Sequence, residues 1–462
     1  MTLALPETVF KAYDIRGIVP EQLNASFAYL LGRALARRAR ATGTDRIVVG
    51  YDGRLSSPEL SEALQKGIAD EGVDTVAIGM VPTPLVYFES YSEKIGAAVA
   101  ITGSHNPPKY NGFKMMIDGK ALYGDDVLAL RTEMQTLESE PVAAQKGSVH
   151  QKDILQTYID RIVSDVKLAR PVKIAIDCGN GVAGIVASKL FRALGCQVVE
   201  LFCDVDGTFP NHHPDPADPQ NLEDLQRSLQ ETDSEIGLAF DGDGDRLGVV
   251  TRSGSIIWPD RQLILFARDI LARQPGATII YDVKCSRHVT TSVEAAGGKP
   301  VMWRTGHSLI KAKLAETGAP LAGEMSGHVF FKERWYGFDD GLYTGARLLE
   351  ILSRDANPTA VLDALPEGIS TPELKLEMAE GQQFALIKTL QDQAQFPGAT
   401  NVVTIDGVRA EYEDGFGLAR ASNTTPVIVL RFEGDSQEAI DRIRGQFKDV
   451  FSKFAPDASL PF

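Results

Sequence analysis

Short apolar runs alternate with amphipathic stretches through most of the chain. RIVVGYD (46–52) predicts a buried strand, SPELSEALQKGIADEG (57–72) a helix and VDTVAIGM (73–80) a second strand. TPLVYFESYSEK (83–94) has helical spacing ahead of a strand in GAAVAIT (96–102). A second round starts at VKIAIDC (172–178), with a helix near 182–194 and then CQVVELF (196–202). A third contains TIIYDV (278–283), RHVTTSVEAAG (287–297), PVMWR (300–304) and HSLIKAKLAETG (307–318). Such strand–helix–strand rounds predict α/β units with mainly parallel sheets. Toward the C-terminus, KLEM, NVVTIDGVRAEYE and PVIVLRFEG read as antiparallel strands, with helices near 381–395 and 436–454. The expected fold class is therefore three mixed α/β domains followed by a smaller α+β domain. Polar or breaker-rich joints at 145–153, 251–255 and 364–373 set the expected domains at 1–150, 151–253, 254–367 and 368–462.

Composition narrows the class. The 462 residues are 44% hydrophobic and 24% charged, with 42 Gly and 24 Pro, which excludes disorder, collagen and coiled coil. A net charge of −15 disfavours nucleic acids and anionic membranes as partners, although a focused cluster of basic groups can still hold a small anion. Pro6, Glu7 and Lys11 break up any N-terminal signal core, and no run approaches the roughly 20 apolar residues of a membrane helix. A cytoplasmic monomer is the expectation. The four cysteines form no C-x-x-C pair, so free and mostly buried thiols are expected.

Four stretches carry candidate chemistry. DGDGDR places Asp241, Asp243 and Asp245 at alternate positions after the apolar run IGLAF, followed by Arg246. Glycines between them let the carboxylates converge, and hard oxygen donors suit Mg²⁺. An EF-hand is excluded, because Arg246 and Arg252 stand where that loop needs Gly and Glu. In TGSHNPPKYNGFK, Ser104 beside His105 and within reach of Lys114 is a nucleophile or a phosphorylated group, expected to be exposed; taken alone it reads equally as a turn serine. GEMSGHVFFKE offers Glu324 and Ser326 as partners for sugar hydroxyls, and His328 in the same polar turn reads equally as a functional or a structural histidine. RASNTTP offers Arg420, a cationic fork, with hydroxyl and amide donors for a phosphate monoester, against the plainer reading of a polar hairpin. GNGVAG (179–184) matches a dinucleotide fingerprint, with Glu200 near the ribose-binding place, but reads better as a tight strand–helix turn.

The order AYDIRG, TGSHNPPKYNGFK, DGDGDR, GEMSGH and RASNT, together with VPTP, DCGNGVAG and WRTGHS, resembles the α-D-phosphohexomutase superfamily, in its bacterial phosphomannomutase/phosphoglucomutase branch. The resemblance covers essentially the whole chain. It implies four domains around a central cleft and phosphate transfer between C1 and C6 of glucose and mannose phosphates. The implied route is a phosphoserine enzyme and a hexose 1,6-bisphosphate, which serves as intermediate and activator. On this likeness Ser104 carries the phosphate and shares Mg²⁺ with Asp241, Asp243 and Asp245. Arg16, His105, Lys114, Arg246 and His328 complete the catalytic set. Tyr13, Lys284, His307, Glu324 and Ser326 contact substrate, and Arg420, Ser422, Asn423 and Thr424 hold the non-reacting phosphate. Which group is the general acid or base stays open. The alternative reading is a metal-dependent sugar-phosphate phosphatase with an aspartyl nucleophile, against which Asp245 stands where that motif wants Thr or Val.

Overall fold

The computed structural model describes residues 5–379, 381–423 and 425–462. They form two units, one running to Pro259 and including Ser326–Ala364, the other built from Asp260–Met325 and Leu365–Phe462.

In the first unit, one sheet runs in the order Ile15–Ile18, Tyr110–Ile117, Ala98–Ile101, Arg46–Tyr51, Asp74–Met80, Val149–Gln151. Its central strands are parallel, but Tyr110–Ile117 lies antiparallel to both neighbours, pairing Ala100 with Lys114 and Arg16 with Gly112. Every residue of Ala98–Ile101 is buried, as expected of a strand covered on both faces. The second sheet places Ile236–Phe240 parallel to Lys173–Asp177 and antiparallel to Leu247–Thr251. The DGDGDR turn is thus the connection of a tight antiparallel pair. The unit is mixed rather than mainly parallel, because the strands beside the serine and aspartate turns reverse direction.

In the second unit, Thr278–Asp282 lies between Lys299–Trp303 and Leu321–Gly323, all parallel. Its C-terminal part is the expected α+β layer. Gly415–Ala421 pairs antiparallel with Val408–Tyr412 and Val427–Gly434, and Gln382–Gln393 and Gln437–Phe454 supply Leu390, Ile443 and Phe447 to its core.

Most predicted elements stand within a residue or two. The expected helix near 182–194 is divided into a 3₁₀ turn, Val182–Ile185, and a helix, Ala187–Ala193. Close approach to a neighbouring segment accompanies the break: a Cβ on Gly184 would sit 1.9 Å from the Cys203 carbonyl oxygen. All four thiols are free, and Cys203 alone among them is half-buried rather than buried. Among the described residues, no helix is long and apolar enough to cross a membrane.

Helices Ala25–Ala41 and Ser57–Asp70 cross at a glycine pair. A Cβ on Gly67 would lie 2.1 Å from the Tyr29 carbonyl oxygen, and one on Gly32 would lie 2.2 Å from that of Leu64. In an open helix, Gly→Ala stabilises by about 1 kcal/mol. Here the backbone contact reverses the sign, and G67A should destabilise by about 1–3 kcal/mol. A urea midpoint at or above wild type by far-UV circular dichroism would contradict this packing.

Candidate active site

Asp241, Asp243 and Asp245 are completely buried, and one oxygen from each lies within 4.8 Å of the others. Glycine makes the turn possible: Gly244 has φ +75°, and a Cβ on Gly242 would lie 2.3 Å from the Ser104 carbonyl oxygen. Asp241 Oδ1 accepts the amides of Asp245 and Arg246 at 3.1 and 3.2 Å. Lys114 Nζ donates to Asp243 Oδ2 at 2.8 Å and to Asp245 Oδ2 at 2.5 Å, and Thr83 Oγ1 donates to Asp243 Oδ2 at 2.6 Å. Burial, aided by the two neighbouring carboxylates, pushes Asp241 well above the ordinary carboxylate range. Burial works against the Lys114 ammonium, but Asp243 and Asp245 outweigh it and hold its pKa well above the usual lysine value. Asp243 Oδ1 is buried without a hydrogen-bond donor among the described residues, and Asp245 Oδ1 faces the His328 ring, 3.3 Å from its Nε2. An all-oxygen trio with a buried carboxylate oxygen still able to accept fits a divalent cation.

Ser104 faces this trio. Its hydroxyl donates to Asp241 Oδ2 at 3.1 Å and lies 3.2 Å from His105 Nδ1. The expectation of an exposed serine is corrected: Ser104 is 1% exposed, with the metal loop packed on its backbone. Burial, joined by the Arg246 and Arg16 cations, pushes His105 well below its ordinary value, which keeps the ring neutral. Arg16 donates to Asn106 Oδ1 at 2.6 Å and pairs with Asp14 at 2.5 Å. Tyr13 is half-buried just before this strand. His328 Nε2 lies 3.2 Å from Arg246 Nε and 3.3 Å from Asp245 Oδ1, while its Nδ1 meets Ser326 Oγ at 3.0 Å. The ring can therefore accept from Arg246 when neutral or donate to Asp245 when protonated.

The other predicted residues belong to the second unit. Glu324 accepts the Gly306 amide at 2.5 Å, immediately before His307, the first residue of helix His307–Thr317. Lys284 Nζ pairs with Glu373 at 2.7 Å, and the ammonium holds the Glu373 carboxyl down at about 2 despite burial. Arg409 Nη1 donates to the carbonyls of Val283 and Cys285 at 2.7 and 2.6 Å, fixing the turn that carries Lys284. Arg420 Nε donates to Asp406 Oδ2 at 3.1 Å, and the same oxygen accepts the Thr305 amide at 2.9 Å. Ser422 Oγ accepts from the Thr425 hydroxyl at 3.0 Å, and Asn423 follows it in the loop. Thr424 lies outside the described residues. The alternating acceptors of GEMSGH are divided, Glu324 belonging to the second unit and Ser326 and His328 to the first.

Sequence reasoning passed over FPNHHPDP (209–216). Pro214 O accepts the Gly242 amide at 3.1 Å, so this segment holds the aspartate turn from behind. His212 Nε2 meets Asp177 Oδ2 at 3.0 Å, and its Nδ1 meets the His213 carbonyl at 2.9 Å. The GNGVAG turn supports the same loop, with Val182 N donating to Gly242 O at 3.1 Å. Glu200 Oε1 is engaged by Ser188 and Arg192 at 2.6 and 2.7 Å, an intramolecular ion-pair role for this acid.

The chain matches all four parts of one family: phosphoglucomutase/phosphomannomutase alpha/beta/alpha domains I, II and III over residues 7–140, 156–254 and 258–367, and the C-terminal domain over 373–450. It is 57% identical over 450 residues to "Phosphoglucomutase" of Neisseria gonorrhoeae, covering 97% of each chain. It is 52% identical over 458 residues to "Phosphomannomutase/phosphoglucomutase" of Pseudomonas aeruginosa, covering 99% of this chain and 98% of the relative. A crystal structure of a phosphoglucomutase/phosphomannomutase family protein from Burkholderia thailandensis has a TM-score of 0.94 at 56% identity, covering 99% of this chain and 100% of that one. The fold is thus that of a hexose-phosphate mutase class, and the acidic trio fits a metal-dependent member of it. The chain belongs to the phosphoglucomutase/phosphomannomutase family, within the α-D-phosphohexomutase superfamily.

Burial lowers the His212 pKa, but Asp177 outweighs it and the net shift is upward from 6.5. A histidine raised on folding adds stability in full below its unfolded value and loses it as pH climbs through the folded value. H212N should therefore lower the melting temperature most near pH ~6 and least above pH ~8. An equal deficit at both would contradict a charged His212–Asp177 pair.

Proposed function

We propose that this chain is an isomerase of carbohydrate metabolism that interconverts the 1- and 6-phosphates of glucose and mannose through a phosphorylated Ser104. The observation that carries the reading is the Ser104 hydroxyl, 3.1 Å from Asp241 at the edge of a buried three-carboxylate turn. In the first transfer the bond from Ser104 Oγ to phosphorus breaks as O6 of a hexose 1-phosphate bonds to it. The product of that step is a hexose 1,6-bisphosphate. After reorientation, the C1 phosphate returns to Ser104 and the 6-phosphate leaves.

The chain's own groups supply positioning and charge. Lys114 and Arg246 stabilise charge on the transferring phosphoryl oxygens. The attacking hydroxyl must lose a proton and the departing Ser104 Oγ must gain one; His105, held neutral and 3.2 Å from Oγ, is in the state that accepts the first and can pass it to the second. Mg²⁺, held by Asp241, Asp243, Asp245 and Ser104 Oγ, would neutralise the trio and withdraw charge from the phosphoryl group. Glu324 and Ser326 are assigned to sugar hydroxyls, and Tyr13, Arg16, Lys284, His307 and His328 to further substrate contacts. Arg420, Ser422, Asn423 and Thr424 are assigned to the phosphate that does not react. The four proposed domains, 1–150, 151–253, 254–367 and 368–462, then contribute the serine, metal, sugar and phosphate loops respectively. The acidic chain and its free thiols suit a cytoplasmic monomer.

A phosphatase with an aspartyl nucleophile is disfavoured. Asp241 is committed, with Oδ1 accepting two amides and Oδ2 the Ser104 hydroxyl. The relatives at 50–57% identity also carry mutase names.

The test is turnover of glucose 1-phosphate and mannose 1-phosphate with a trace of glucose 1,6-bisphosphate. Both should give the 6-phosphate, and S104A should lose roughly 10³-fold or more in kcat while keeping its melting temperature. Release of inorganic phosphate in place of the 6-phosphate would overturn the reading. Excess EDTA should abolish turnover and Mg²⁺ restore it; full rates in EDTA would contradict the metal assignment.

A further inference from the structure

Resting on the reading of Ser104 as the phosphorylated group, we propose that Arg54, anchored by Asp52, is a positioning residue that fixes Ser104 Oγ for attack by clamping the carbonyls of its loop.

Arg54 follows strand Arg46–Tyr51 in the sequence YDGR, and only 1% of it is exposed. A guanidinium has five N–H donors in a rigid plane. All five are used here, four on the serine loop. Nη2 donates to Ser104 O and Asn106 O at 2.8 and 2.6 Å, and Nη1 to Pro107 O and Tyr110 O at 2.7 and 2.9 Å. Nε donates to Asp52 Oδ2 at 3.1 Å. That same oxygen accepts Thr102 Oγ1 at 2.8 Å and the Gly103 amide at 3.1 Å, while Oδ1 accepts Ser57 Oγ at 2.6 Å. The ion pair therefore grips the loop on both sides of the serine.

The loop needs holding. Ser104 has φ +50°, a left-handed conformation that a non-glycine residue adopts only when its surroundings impose it. Gly103 completes the device, because a Cβ there would lie 2.4 Å from Arg54 Cζ; the guanidinium plane occupies that space. Arg54 touches none of the groups assigned to phosphoryl chemistry through a side chain. Its effect on their placement passes through the Ser104 backbone, while the charge it also sets near Asp243 and Arg16 is kept in R54K. A Lys at this position has three donors on one atom and cannot bridge four carbonyls.

A misplacement of about 1 Å costs about a hundredfold in rate. Accordingly R54K should lower the single-turnover rate of Ser104 phosphorylation by glucose 1,6-bisphosphate about a hundredfold, and kcat with it. KM for glucose 1-phosphate should stay near wild type, because its proposed contacts lie elsewhere. G103A, which pushes a methyl into the guanidinium, should show the same split. Combined with R54K it should add little, since both remove the same constraint. Rates are read on folded protein, checked by near-UV circular dichroism, and G103A carries the test if R54K does not fold. Phosphorylation at the wild-type rate in either folded variant, or losses that multiply in the double variant, would overturn the proposal. The wild-type control separates the two ideas: if Ser104 is never phosphorylated there, the functional reading itself has failed.

Discussion

Asp241, Asp243 and Asp245 put three carboxyl groups, one oxygen of each within 4.8 Å of the others, in a fully buried turn. Each charge moved out of water costs several kcal/mol unless it is paired and hydrogen-bonded. Much of the first unit's sequence follows from that constraint. Lys114 reaches two of the carboxylates from a strand that runs antiparallel to its neighbours. Thr83, at the start of helix Thr83–Ser92, holds Asp243 through both its hydroxyl and its amide. Glycines stand where the turn meets the serine loop and the GNGVAG turn, because backbone must touch backbone at those points.

Buried arginines do the complementary work on the loops. A loop drawn into the interior leaves carbonyls that water can no longer solvate, and a guanidinium satisfies several at once. Arg54 does this for the serine loop and Arg409 for the turn bearing Lys284. Asp406 plays the acidic counterpart, joining Arg420 to the Thr305 amide through a single oxygen. The chemistry assigned to these loops depends on fixed geometry, and the same hydrogen bonds that make burial affordable supply that rigidity.

Several of the motif loops were legible because they follow an apolar run of strand length. DGDGDR indeed leaves strand Ile236–Phe240, and WRTGHS leaves Lys299–Trp303. Long-range pairing was not legible. Nothing local to TGSHNPPKYNGFK marks Tyr110–Ile117 as a strand between Ile15–Ile18 and Ala98–Ile101, yet that pairing delivers Lys114 to the aspartates. The burial of Ser104 depends on Arg54, 50 residues earlier, and on Gly242, 138 residues later, so no window around the serine shows it. FPNHHPDP carries no pattern that singles it out in the sequence, and only the amide of Gly242 donated to Pro214 reveals its supporting role. Gly103 and the YDGR sequence did carry a signal. A glycine before a candidate nucleophile and an acid–base pair after a buried strand both ask what they pack against.

The central claim is that a serine hydroxyl beside the buried trio carries the phosphate in transit. It is tested most directly by incubating the enzyme with glucose 1,6-bisphosphate, digesting it, and locating the phosphate by tandem mass spectrometry. The account predicts an acid-stable phosphate on Ser104. An acid-labile acyl phosphate on Asp241 or Asp243, or no phosphopeptide at all from an active preparation, would contradict it.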